Sequence, residues 1–89
     1  MKAIVTVAGR DQVGIIASVC ALLSSHEVNI LDISQTVLQE YFTMVMLVDL
    51  TACTLSIGTL SEALKESGES RGLAIRIQRE DIFNAMHRI

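Results

Sequence analysis

The period of the apolar pattern switches in a fixed order along this chain, and that order constrains the fold more than any single motif. Residues 2 to 8 alternate, with Val5 and Val7 on one face and Ile4 and Thr6 on the other, as a half-buried strand requires. From about Val13 to Ser25 the spacing becomes helical. Ile15, Val19, Leu22 and Ile16, Cys20, Leu23 fill adjacent rows, while Ser18, Ala21, Ser24 and Ser25 fall largely outside them.

Alternation returns at Val28 and Ile30, then slips by one residue, because Ile33, Gln35 and Val37 occupy the opposite parity. A one-residue bulge near Leu31 accounts for the slip. A further strand runs from Tyr41 to Leu50, with Phe42, Met44, Met46, Val48 and Leu50 on one side, so Gln39-Glu40 is the turn of a hairpin. The Met and Phe stripe is core-forming at this spacing rather than a cofactor contact. After the polar interval Thr51 to Thr54, a second helix spans about Ser56 to Ser67 through Ile57, Leu60 and Leu64. Ser56 is its expected cap and Gly68 its expected left-handed terminator. Leu73, Ile75 and Ile77 alternate with Ala74, Arg76 and Gln78 in a fourth strand, and Glu80 to His87 form a short closing helix.

The resulting βαββαβ order predicts an α+β, ferredoxin-like sandwich of residues 1 to 89 as one domain. It comprises a four-stranded antiparallel sheet, two helices on one face and a short C-terminal helix. Val45 and Leu47 then point away from the helices and need a cover. The closing helix is too short to stand alone, so its stripe of Ile82, Phe83, Met86 and Ile89 must dock on that face or on a neighbour.

The connection between the first strand and first helix carries the candidate site. Asp11 can accept bonds from the amides that open the helix, and Gly14 brings no Cβ to that opening, so a ligand or partner can reach the positive end of the helix dipole. A tight strand-to-helix turn would read the same way, and the loop taken alone favours that simpler reading. Asn29 and Asp32 are equally ambiguous between ligand contact and local capping.

With 89 residues, the domain buries only about 60 to 65% of its unfolded surface. Yet 51% of its residues are hydrophobic and its mean hydropathy is +0.48, which leaves apolar surface for another subunit. Ten acidic and seven scattered basic residues give a net charge of −3, which disfavours a nucleic-acid partner. No apolar run reaches membrane length, and a cytoplasmic location is expected. Cys20 and Cys53 form no CxxC, so structural thiols are expected rather than a disulfide framework or zinc site.

Catalysis needs converging groups, and His26 and His87 have no visible nucleophile or carboxylate partner. The acidic pairs Glu66/Glu69 and Glu80/Asp81 read as solvated helix ends. The Gly9 to Gly14 loop lacks the lysine and glycine spacing of nucleotide cradles. An acylphosphatase would need an arginine on the first helix, but no Arg or Lys lies between Gly14 and Asn29. An RNA-recognition surface would need stacking aromatics on its central strands, yet the first strand has none. The expectation is therefore no catalytic residue, no metal and no cofactor.

The segments Val7-Ala8-Gly9-Arg10-Asp11-Gln12-Val13-Gly14-Ile15-Ile16-Ala17, Val28-Asn29-Ile30 and Asp32-Ile33-Ser34-Gln35-Thr36 resemble the ACT domain family over the whole chain. Asp32 to Val37, Tyr41 to Met44 and the tail Ile82 to Met86 more narrowly resemble small bacterial proteins that consist of one ACT domain. This resemblance implies non-catalytic regulation through a small ligand, commonly an amino acid, held at a homodimer interface. It implies Asp11, Val13, Gly14 and Ile15 on one side of the site, with Asn29 and Ile30 opposite. With no enzyme or DNA-binding domain attached, such a signal is expected to be read by a separate protein partner. A protein-interaction module without a small ligand is the alternative expectation.

Overall fold

β1 (Lys2–Arg10) lies inside the sheet, with its Ala3, Val5 and Val7 fully buried. It pairs antiparallel with β3 (Tyr41–Asp49) on one side and β4 (Ala74–Arg79) on the other, while β2 (Asn29–Leu38) pairs with β3, giving the order β2-β3-β1-β4. The crossovers are α1 (Ile15–Ser25) and α2 (Ile57–Glu69). This is the expected βαββαβ arrangement. The computed structural model describes residues 1–81. Of the expected closing helix, Glu80 and Asp81 are helical, while Ile82, Phe83, Met86 and Ile89 lie outside the described residues.

One core joins the helices to one face of the sheet. Val5, Val7, Met44, Met46 and Val48 are fully buried there with Val19, Leu23, Leu60 and Leu64. Each such side chain contributes about 1.5 to 3 kcal/mol relative to exposure. Ile75 and Ile77 of β4, with Leu73 just before it, complete the layer. The opposite face keeps Val45 36% exposed.

The pairing of β2 with β3 shifts between Ile30 and Asp32, so the bulge lies where the change of parity places it. Its consequence for burial differs from the simple pattern. Ile33 and Val37 stand opposite Met46 and Phe42 on the helix-side face, yet remain 40% and 51% exposed. β2 is an outer strand whose helix-side face is left largely uncovered.

Three local expectations are corrected. α1 starts at Ile15 rather than Val13, and Gly14 is its N-cap at φ 86° rather than a residue of its first turn. No side chain, Asp11 included, caps it. The buried stripe of α1 is Ile15, Val19 and Leu23, whereas Ile16 is 37% exposed and Cys20 and Leu22 are half-buried. Gly68 does not terminate α2 in the left-handed region, a place taken by Gly72 at φ 71°. Gly68 is needed for proximity instead, because a Cβ there would lie 2.6 Å from the Leu73 carbonyl oxygen.

Candidate functional site

The loop from Asp11 to Gly14 is held from two directions before α1 begins. The Asp11 amide donates to the Glu40 carbonyl at 2.7 Å, extending contact with β3 toward the hairpin turn. Gln12 reaches across the fold, its Nε2 donating to the Arg71 carbonyl at 3.0 Å and more weakly to that of Arg10 at 3.5 Å. These bonds leave Val13 at the tip, 98% exposed.

Gly14 then turns the chain through the left-handed region, and its carbonyl accepts the Ser18 amide at 2.9 Å as the first bond of α1. A Cβ on Gly14 would meet only Arg71 Nη1, at 3.9 Å. Space is therefore not what demands glycine here; the positive φ is. Beside this turn lies a hollow of about 160 Å³, lined by Asp11, Gln12, Gly14, Ile15, Ile16, Ala17 and Phe42. Without a side-chain cap, the opening amides of α1 and their dipole remain available to an anion.

The candidate residues separate into two groups. Asp11, Val13 and Gly14 are exposed on the loop, while Ile15 is 2% exposed and offers its backbone rather than its side chain. Asn29 and Ile30 open β2 at the far end of α1. Asn29 pairs with Asp49, which pairs with Lys2, whereas the loop follows Arg10 at the other end of β1. Eight strand steps separate those ends, about 26 Å at 3.3 Å per residue. One copy of the chain does not bring the two groups together.

Sequence reasoning passed over Gln12, Arg71 and Phe42 at the loop. Gln12 was visible as a long polar side chain within it, but its partner lies 59 residues away and follows only from the fold. Arg71 was one scattered cation among seven, and Phe42 one member of a core stripe.

Elsewhere the chemistry is sparse. Among the described residues, Asp49 is the one group whose carboxyl is clearly held below its ordinary value of 3.8. The Thr51 hydroxyl and amide donate to it, and burial opposes them weakly. Cys20 and Cys53 are free thiols. Among the described residues, no group of three or more His, Cys, Asp or Glu gathers where it could hold a metal, and no helix is long and apolar enough to cross a membrane.

Comparison with known proteins bears on this arrangement directly. The ACT domain family pattern matches residues 2–78. A UPF0237 protein of Clostridium acetobutylicum is 53% identical over 89 residues, covering 100% of both chains. Among solved structures, an ACT domain protein from Streptococcus pneumoniae superposes with a TM-score of 0.83 at 41% identity, covering 98% of each chain. A formyltetrahydrofolate deformylase from Pseudomonas syringae pv. tomato superposes with a TM-score of 0.80 at 25% identity, over 88% of this chain and 27% of that one. The strand order, the glycine-turned loop and these matches together place the chain in the ACT domain family.

Proposed function

We propose that the chain is a non-catalytic, cytoplasmic regulator that binds a small ligand, an amino acid, at an interface between two of its own copies. The observation that carries this reading is the opening of α1. A left-handed Gly14 stands where a capping side chain would otherwise engage the amides, and a hollow lies alongside. Those amides suit a carboxylate. Asn29 supplies both a donor and an acceptor for the remaining polar groups of an amino acid.

Asn29 reaches the loop only from a second copy. α1 spans from the loop to the start of β2, so two α1 helices side by side and antiparallel bring Asn29 and Ile30 of each copy toward Asp11 to Ile15 of the other, twice by symmetry. The exposed apolar residues support this pairing. Val13, Ile16, Ile33 and Val37 lie on the loop, α1 and β2, where such a contact would cover them.

A thermal-shift screen of the common amino acids tests the reading. A ligand at 100 times its Kd adds about 2.7 kcal/mol, which raises the Tm of a domain this size by roughly 10 °C or more. Gly14→Val and Asn29→Ala should each abolish that rise while the dimer mass persists. No rise with any amino acid would overturn the ligand assignment. It would leave the second reading, a protein-interaction module, which the 98% exposure of Val13 at the loop tip favours.

A further inference from the structure

The face of the sheet away from the helices carries its own pattern. Its centre is apolar, with Ile4 paired to Leu47 and Val45 beside Thr6, and Val45 stays 36% exposed. The charges around that centre are segregated by strand. Lys2, Arg10 and Arg76 stand on β1 and β4, while Asp32 and Asp49 stand on β2 and β3. Among the described residues, neither Asp32 nor Arg76 makes an ion pair.

We propose that this face is an interface with a second copy of the chain, the two sheets stacking about a two-fold axis that runs along the strands between β1 and β3. This goes beyond the side-by-side pairing above and does not depend on it. Such an axis lays β1 on β3 of the other copy and β4 on its β2. Ile4 then comes over Leu47 and Thr6 over Val45, closing apolar centre on apolar centre. Lys2 comes over Asp49, and Arg10 over the exposed ring of Tyr41. Arg76 stands one residue pair, about 7 Å along the strand, from Asp32 of the other copy, within reach of its long side chain.

The alternative in-plane axis, across the strands, is disfavoured by the same charges. It would place Arg76 over Arg76, a like-charge contact that costs affinity. The dimensions suffice for a specific contact. Strands of nine residues at about 3.3 Å, four abreast at about 4.8 Å, cover roughly 550 Å² per copy, or about 1,100 Å² in all, just above the 1,000 Å² that specific interfaces clear. Aligned stacking of this kind is an ordinary way for two twisted sheets to pack.

Sedimentation and light scattering across a concentration series of the full chain test the proposal. Val45→Glu puts a charge in the centre and should weaken this association at least about 100-fold, halving the mass of the largest species. Asp32→Arg and Arg76→Glu alter exposed side chains and should each weaken it about tenfold. The double variant should recover to within about threefold of the unmodified chain, because the exchanged charges face each other again. An unchanged mass distribution for Val45→Glu with native circular dichroism overturns the proposal, as does a double variant showing no recovery. A mass halved by Ile33→Glu and untouched by Val45→Glu overturns it too, while leaving the α1 and β2 pairing standing.

Discussion

The two helices of this domain begin and end differently, although they cross the same sheet. α2 opens on Ser56, whose hydroxyl oxygen accepts the Thr59 amide at 3.2 Å. α1 opens on Gly14 with no capping side chain. Both close with the same hydrogen-bond pattern. In α2 the Leu73 amide donates to the Gly68 carbonyl, and Gly72 takes the left-handed position at φ 71°. In α1 the Val28 amide donates to the Leu23 carbonyl, and the left-handed position falls to Glu27 at φ 60°. α2 thus has a side-chain cap at its start and the preferred glycine at its end, and α1 has neither. Local rules tend to be broken where a segment serves more than its own stability, and the exceptions here gather on α1, the helix that follows the candidate loop.

Substitutions at these four ends can break that contrast. The largest effect belongs to Gly14→Val, because a β-branched residue is a poor fit to a φ of 86°. It should lose about 2 kcal/mol, lowering the Tm by roughly 10 °C in calorimetry. A loss under about 0.5 kcal/mol would mean that the turn relaxes and glycine is not required by conformation. Ser56→Ala should cost about 1 kcal/mol by removing the cap of α2. No side-chain cap exists at α1 to be lost in a matching way.

Glu27→Gly should move stability in the opposite direction. It relieves the left-handed strain at the end of α1 and should raise stability by up to about 1 kcal/mol, read as a higher urea midpoint at unchanged slope. The smallest effect concerns pH and sits beside the start of β2, where Asp49 pairs with Asn29. The Asp49 carboxyl is held below 3.8, so its contribution is present above that value and is lost as pH falls through the lowered folded value. Thr51→Ala should move the carboxyl back toward 3.8, visible as an upward shift of its NMR titration midpoint.

Much of this fold was legible because the apolar periods and the sheet registers agree. The bulge at Leu31 is the clearest case: Ile30 and Ile33 could not share a face without one extra residue between them. Ser56 was legible for the same local reason, since a serine just before an apolar stripe has amides within its own reach. Gly68 was misread because its constraint is a neighbour, the Leu73 carbonyl in the turn leading to β4, and not its own dihedral angle. Ile33 and Val37 kept the right parity but not the expected burial. Parity reports which way a side chain points, and only the placement of the helices reports whether anything lies above it.

The site divides along the same line. Sequence by itself determined the βαββαβ order, the alternating core stripes of β1, β3 and β4 and the glycine at the head of α1, because each rests on spacing within a few residues. Tertiary structure decided that Gln12 is tied to Arg71, that the hollow borders Phe42, and that Asn29 stands a sheet's length from the loop it was grouped with. Those facts depend on which strands are neighbours and in what register, quantities set by the packing of the whole chain.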